Sequence, residues 1–226
     1  MAVSTSSPAA GRRAPPKGLV PQLNGWLLHP VVKPLLWLLL AMPAGLLLWG
    51  AIQNQLGPNP TEALIRGLGD WTLRFLCLTL AITPLRQWTG LNSIVRWRRN
   101  LGVATFLYGT LHWLSYAWFD QNLDLQALLH DVAKRPFILV GTAAWLAMLP
   151  LALTSFNAAI KRLGGKRWQA LHKTMYAIAL GGLLHFFWLR AGKHNFAEVA
   201  VYAAIIFFLL GWRVWRWLRS RRPVTA

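Results

Sequence analysis

The stretch WQALHKTMYAIALGGLLHFFWL, residues 168–189, decides the fold of this chain. It contains no Asp, Glu, Lys or Arg after Lys173, and it holds two histidines, His172 and His185, among mostly apolar neighbours. A helix needs about 20 apolar residues to cross the hydrocarbon core of a bilayer. The stretch has that length and therefore predicts a transmembrane helix that carries two histidines.

Apolar segments of similar length recur along most of the chain. The six predicted helices span residues 35–52, 64–85, 101–119, 136–160, 168–189 and 196–212. Apolar residues make up 55% of the sequence and charged residues only 13%, which is unlike a soluble domain. A soluble helical bundle would need polar stripes along its helices, and these are largely missing. The sequence predicts an all-α integral membrane protein, a bundle of six transmembrane helices.

The distribution of charge predicts the orientation. The formal charge is +18, but the basic residues lie in short loops and at the ends of the chain, as in loops 86–100 and 161–167. A nucleic-acid binder would instead carry a basic face on a soluble domain, so we expect no nucleic-acid partner. The opposite set of loops and helix ends carries all six acidic residues. The positive-inside rule then places both termini in the cytoplasm, in a multi-pass protein surrounded by lipid.

Composition also divides the chain into three parts. Residues 1–30 begin with a segment rich in Ser, Ala, Pro and Gly, which predicts a disordered cytoplasmic tail. Residues 31–217 form the predicted transmembrane domain. Residues 218–226 are expected to be a short basic cytoplasmic tail.

Three histidines lie inside predicted helices: His112 in the third, and His172 and His185 in the fifth. Ionisable groups inside a bilayer usually mark a functional site, and imidazole is a good ligand for iron. At 1.5 Å per residue, His172 and His185 differ in depth by about 20 Å. His112 lies about two thirds of the way along a helix that also runs outward. His112 and His185 therefore share a depth, and we predict that they ligate one hexacoordinate heme iron.

Small residues precede this pair by one helical turn. Gly109 lies three positions before His112, and Gly181 and Gly182 lie four and three before His185. Missing side chains on the same helix face would leave space for a flat porphyrin. Close helix–helix packing through small residues is the alternative explanation. Together with the histidines, the glycines favour heme binding.

The sequence leaves the partners of His172 and Arg74 open. Thirteen residues of ideal helix place His172 and His185 about 140° apart around the axis, and no histidine matches the depth of His172. The residues thus support one complete bis-histidine site and leave a second one open. Arg74 is a charge inside the second helix. It either pairs with a heme propionate or extends to the nearer interface.

Three stretches carry a family resemblance: RRNLGVATFLYGTLHWLSYAW (98–118), RPFILVGTAAWLAMLPLALTS (135–155) and GKRWQALHKTMYAIALGGLLHFFW (165–188). The most specific part is WQxLHxxxY with a second histidine thirteen residues after the first. In these stretches the chain resembles the MsrQ family, formerly called YedZ, over about residues 30–215. More distantly it resembles the ferric reductase and NADPH oxidase transmembrane domain. Three of the four heme-ligand positions of that domain match here, at His112, His172 and His185, and arginine occupies the fourth.

The resemblance implies a function in the bacterial inner membrane. MsrQ proteins are heme-binding subunits of periplasmic methionine sulfoxide reductase systems, so heme b and FMN are the implied cofactors. Electrons would pass from the quinone pool or a cytosolic flavin reductase to MsrP, a periplasmic molybdopterin reductase that repairs oxidised proteins. The chain itself would then transfer electrons and carry no catalytic residues, because the catalytic reductase is a separate partner.

Two other functions stay open at this point. One is a transmembrane ferric or cupric reductase that acts on external metal. The other, from a different class, is a metal or ion transporter whose membrane histidines bind the ion directly. No convincing inverted repeat is visible in the sequence, which counts against the transporter.

Overall fold

The computed structural model describes residues 18–192 and 196–220. All regular elements within these residues are helical, which confirms the all-α prediction for this part of the chain. The helices are α1 (Leu19–Leu27), α2 (Val32–Ile52), α3 (Pro60–Thr89), α4 (Trp97–Phe119), α5 (Leu125–Lys134), α6 (Pro136–Leu153), α7 (Asn157–Leu163), α8 (Gly165–His172), α9 (Met175–Ala191) and α10 (Ala197–Ser220). A 3₁₀ turn, Asn92–Arg96, precedes α4.

Three of these helices are long and apolar enough to cross a membrane, judged by length and composition: α2, α6 and α10. The other segments predicted to span correspond to α3, α4 and α9, of 30, 23 and 17 residues. α3 is long enough but includes Glu62, Arg66, Asp70 and Arg74, and α9 is shorter than the three apolar helices.

The predicted disordered tail is wrong for part of its length. Residues 19–27 form α1, and the side chain of Asn24 ties this helix to the 3₁₀ turn. The Asn24 Oδ1 accepts from the Ser93 backbone N–H at 2.9 Å, and the Ser93 hydroxyl donates to the Asn24 carbonyl at 2.9 Å. Amino-acid composition contains no information about such long-range polar contacts, so it could not predict α1. Residues 1–17 and 221–226, which include most of the two predicted tails, lie outside the described residues.

The predicted helix over residues 136–160 is two helices in the structure. α6 ends at Leu153, where the hydroxyls of Thr154 and Ser155 each donate at 2.7 Å to carbonyls of the last turn, those of Pro150 and Leu151. Hydroxyls that bond the backbone in this way compete with helix continuation. The chain then restarts as α7.

The predicted helix over residues 168–189 is also divided. α8 ends at His172, and α9 begins at Met175. The Thr174 hydroxyl donates to the Leu171 carbonyl at 2.7 Å, as part of a tight turn between the two helices. The angle of about 140° expected between His172 and His185 assumed one ideal helix, so it does not apply here.

Helix α3 lies at the centre of the bundle and packs against α2, α4, α9 and α10. Its two sides contribute to two separate apolar clusters. One cluster joins it to α2 and α4 through residues such as Leu68, Phe75 and Ala104. The other joins it to α9 and α10 through residues such as Leu76 and Leu183. The outer faces of the bundle remain apolar and exposed, as expected for a surface in contact with lipid.

A buried tyrosine links α4 to α2. The Tyr108 hydroxyl donates to the Leu40 carbonyl at 2.7 Å and accepts from the Ala44 backbone N–H at 2.8 Å. An uninterrupted helix would join that carbonyl directly to that N–H. The hydroxyl is inserted beside Pro43, which itself cannot donate to the helix. Both polar groups are therefore satisfied where the proline disturbs α2, and α4 is fixed against it.

Candidate functional site

The structure brings His112 of α4 and His185 of α9 together. Their ring centres lie 6.1 Å apart, and the ring planes are inclined by 77°. Both rings lie in the interior of the bundle beside one cavity of about 460 Å³. This volume falls in the range of small-molecule and cofactor sites.

Each of the two rings is anchored by a backbone carbonyl of another helix. The Nδ1 of His112 lies 2.8 Å from the carbonyl oxygen of Ile65 in α3. The Nδ1 of His185 lies 2.6 Å from the carbonyl oxygen of Phe137 in α6. A carbonyl can only accept, so Nδ1 carries the proton in both rings. In the neutral imidazole the Nε2 lone pair then remains available to a metal.

Two glycines lie directly against these rings. A Cβ atom on Gly69 would stand 3.0 Å from Cε1 of His112, and one on Gly141 would stand 2.7 Å from Nδ1 of His185. Neither glycine is recognisable from the sequence, because each lies on a different helix from the histidine that it contacts. Their only signal in the sequence is a glycine within an apolar helix.

The three glycines singled out in the sequence have different positions. Gly109 and Gly182 line the cavity beside the histidine pair, as a porphyrin site would require. Gly181 does not belong to its lining and faces α6, where Val140 and Ala144 lie 3.8 Å from the position of a Cβ. Close packing between helices accounts for Gly181.

Arg74 does not line this cavity. Its Nε donates to the Tyr202 hydroxyl at 3.2 Å, and its guanidinium lies 4.6 Å from the ring centre of Trp71. Two other arginines, Arg66 of α3 and Arg135 just before α6, do line it. Neither arginine is distinctive in the sequence, because both lie near helix ends, where basic residues are common.

Both lining arginines are already held by carboxylates. Arg66 forms an ion pair with Glu62 one turn earlier. The Nε of Arg135 pairs with Asp131 at 2.8 Å. Asp131 is buried and also accepts from the Tyr116 hydroxyl at 2.6 Å, which restrains its side chain. The Arg135 guanidinium thus has one edge fixed and further N–H groups free to bind another anion.

His172 lies in a second, larger cavity of about 1040 Å³. Its Nδ1 lies 3.0 Å from the Trp168 carbonyl, and its ring stacks on that of Trp168 at 3.9 Å. The Nε2 is buried and makes no hydrogen bond. A buried nitrogen without a partner is unfavourable unless a ligand satisfies it.

This second cavity is strongly basic. Lysine and arginine side chains line it, and no Asp or Glu occurs among its described lining residues. The cationic residues are Lys33, Arg96, Arg98, Arg99, Lys173 and Arg213. Low-dielectric walls with charge of a single sign attract anions. We name this the inner cavity, and the one beside His112 and His185 the outer cavity.

The fold and these two cavities define a class of membrane protein. The family model described as ferric reductase like transmembrane component matches residues 68–183, which include His112 and His172 and end two residues before His185. Within that class, the chain has high sequence identity to the members of one family. A protein from Polaromonas naphthalenivorans (strain CJ2), named protein-methionine-sulfoxide reductase heme-binding subunit MsrQ, is 57% identical over 88% of this chain and 92% of its own length. This chain belongs to the MsrQ family.

Other proteins with the same name are also similar to this chain over most of its length. The protein from Ralstonia nicotianae is 50% identical over 86% of this chain and 90% of its own length. The protein from Xanthomonas campestris pv. campestris (strain B100) is 44% identical over 75% of this chain and 76% of its own length. No solved structure matches the chain.

Proposed function

We propose that this chain is the membrane electron-transfer subunit of a methionine sulfoxide reductase system, and that it carries electrons through b-type heme. The observation that carries the proposal is the His112–His185 pair, with both Nε2 atoms free. The relatives are named as heme-binding subunits, which agrees with this use of the pair.

The residues of the outer cavity fit a heme. Metal–imidazole bonds of about 2 Å on both sides of one ion bring two ring centres to roughly 6 Å apart. The observed separation is 6.1 Å. When bound, heme would supply one-electron redox chemistry. The chain would hold the iron through the Nε2 atoms of His112 and His185, fix the direction of these rings through the Ile65 and Phe137 carbonyls, and exclude water with the surrounding helices.

We propose that Arg66 and Arg135 bind the carboxylates of this heme. Among the residues that the structure describes, they are the two arginines that line the outer cavity. Guanidinium groups bind carboxylates through parallel hydrogen bonds, and the carboxylates would otherwise be poorly solvated. Arg74 was one candidate for this role, but it does not line the outer cavity. Its contacts with Tyr202 of α10 and with Trp71 suggest a third role, the packing of α3 against α10, which differs from both the propionate and the interface interpretation.

We assign the inner cavity to a second cofactor. Six cationic side chains suit the phosphate of FMN, which the family resemblance implies. The unpartnered Nε2 of His172 would equally suit the iron of a second heme. Either group would lie between the electron donor and the outer cavity and would extend the electron path across the bundle.

We propose that α2, α3, α4, α6, α9 and α10 all span the membrane. At 1.5 Å per residue, a helix of 17 residues extends about 26 Å, close to the hydrocarbon thickness of about 30 Å. The residues that line the inner cavity include cations at the start of α4 and near the end of α10. The positive-inside rule then places this end in the cytoplasm, with both termini, in a multi-pass protein of the bacterial inner membrane.

The direction of electron flow follows from this orientation. The donor, the quinone pool or a cytosolic flavin reductase, would deliver electrons at the inner cavity. The acceptor would be MsrP, the periplasmic molybdopterin reductase, at the outer end. The chain would have no catalytic residue of its own, since reduction of methionine sulfoxide takes place on the partner.

Reconstitution tests this proposal. The purified chain, inserted into liposomes and reduced, is expected to show the absorption bands of b-type heme. Oxidised MsrP should reoxidise it rapidly, and ferric citrate should do so much more slowly. An absence of heme bands would reject the electron-transfer function. Equal or faster reoxidation by ferric citrate would favour a ferric reductase.

A further inference from the structure

The two histidines of the outer cavity are held by the same arrangement on two different helices. In α3 the Ile65 carbonyl binds the ring of His112, and Gly69 follows four residues later. In α6 the Phe137 carbonyl binds the ring of His185, and Gly141 follows four residues later.

We propose that Gly69 and Gly141 are positioning residues for the heme ligands. Each glycine lets an imidazole lie flat enough on a neighbouring helix for its Nδ1–H to reach the carbonyl four residues earlier. The inference rests on the proposed heme site and names two residues that hold the ligands without touching the iron.

Helix geometry explains the spacing of four. The carbonyl of residue i in an α-helix accepts from the backbone N–H of residue i+4, and it has a second lone pair. A side chain that uses this second lone pair must approach the helix surface beside residue i+4. A Cβ atom at i+4 stands in the way, and only glycine lacks one.

The distances show that each imidazole ring lies very close to its glycine. A Cβ on Gly69 would lie 3.0 Å from Cε1 and 3.1 Å from Nδ1 of His112. A Cβ on Gly141 would lie 2.7 Å from Nδ1 and 2.8 Å from Cε1 of His185. Among the described glycines, these are the two at which the nearest atoms belong to a histidine ring. Alanine would therefore displace the ring that carries the ligand nitrogen.

Displacement of the ring has a chemical consequence. A hydrogen bond from Nδ1–H to a carbonyl fixes the tautomer, directs Nε2 and makes the imidazole more basic. A more basic axial ligand favours the oxidised iron and lowers the reduction potential. Loss of the bond is expected to weaken ligation and to raise the potential of the heme.

The test uses Gly69→Ala and Gly141→Ala with two matched controls. In Gly211→Ala the new methyl meets no atom within 4 Å. In Gly67→Ala it lies 2.8 Å from a methyl group of Leu47, so this variant places a steric clash on α3 away from both histidines. Heme is counted per chain in the monodisperse fraction after purification in detergent, and misfolded protein is thereby left out.

Heme affinity is measured by transfer to apomyoglobin, and the potential by spectroelectrochemical titration. Gly69→Ala and Gly141→Ala are expected to weaken heme binding about 10–100-fold, as loss of such outer contacts does at other metal sites. They should also raise the midpoint potential and give a partly five-coordinate spectrum. Gly211→Ala and Gly67→Ala should match the wild type in potential and spectrum.

Two different failures are distinguishable. If the wild type binds no heme, the proposed function falls. If the wild type binds heme and both folded alanine variants keep its affinity, spectrum and potential, the positioning role is wrong and the heme site stands. If Gly67→Ala reproduces the spectral change, helix distortion explains the effect and the positioning role is likewise wrong.

Discussion

The imidazole rings of His112 and His185 lie with their centres 6.1 Å apart, although the residues belong to α4 and α9. Carbonyls of α3 and α6, at Ile65 and Phe137, hold the two rings. Four helices thus determine the geometry of one pair of nitrogens. Substitutions on any of the four should be visible in the spectrum of the bound heme.

The first prediction concerns the lining arginines. Arg66→Gln and Arg135→Gln should each weaken heme binding about tenfold, since each removes a cation that would face a heme carboxylate. Arg74→Gln is the matched control, because Arg74 is an arginine of α3 outside the outer cavity. Transfer of heme to apomyoglobin measures the effect. A larger loss in Arg74→Gln than in the other two would contradict the assignment.

The second prediction separates the two cavities. His172→Ala should leave the heme at His112 and His185 in place, because His172 lies in the inner cavity. If a second heme occupies the inner cavity, total heme should fall by one per chain. If FMN does, heme should be unchanged and flavin retention should fall. A loss of all heme in this variant would show that the cavities do not bind independently.

The third prediction concerns the support of Arg135. Tyr116→Phe removes the hydroxyl that donates to Asp131 at 2.6 Å. A hydrogen bond to a charged group contributes about 1.5–3 kcal/mol, so the free energy of unfolding should fall by roughly that amount. Unfolding in mixed micelles with increasing SDS measures it. Tyr202→Phe, which affects the contact of Arg74, should leave heme affinity unchanged, whereas Tyr116→Phe should lower it through Arg135.

The fourth prediction concerns topology. A fluorescent protein that matures only in the cytoplasm should be bright when fused after Ala226. Alkaline phosphatase, which is active only in the periplasm, should be active when inserted beside Asn122, in the turn before α5. The reverse pattern would invert the orientation and with it the direction of electron flow.

The depth of the histidine pair could be predicted from the sequence alone. Rise per residue is nearly constant in a helix, so the ends of two helices suffice to place His112 and His185 at one level. The break between His172 and Met175 could not be predicted in this way. It depends on local bonds such as that of the Thr174 hydroxyl, to which apolar periodicity is insensitive.

The glycines and arginines of the site illustrate a second limit of prediction from the sequence. Gly109 and Gly182 were found because they share a helix with a histidine, whereas Gly69 and Gly141 act from other helices. Their roles depend on which helices are neighbours, and one sequence does not specify this. Arg74 follows Arg66 by eight residues, over which a helix turns by about 80° beyond two full turns. That rotation is sufficient to direct one arginine into the cavity and the other towards α10.

The most direct test of the account is the heme content of three histidine variants. His112→Ala and His185→Ala should each lose one heme per chain, together with the low-spin spectrum of a bis-histidine site. His130→Ala, on the exposed side of α5, should keep the wild-type content and spectrum. A folded His112→Ala or His185→Ala protein with full wild-type heme and an unchanged spectrum would contradict the central claim.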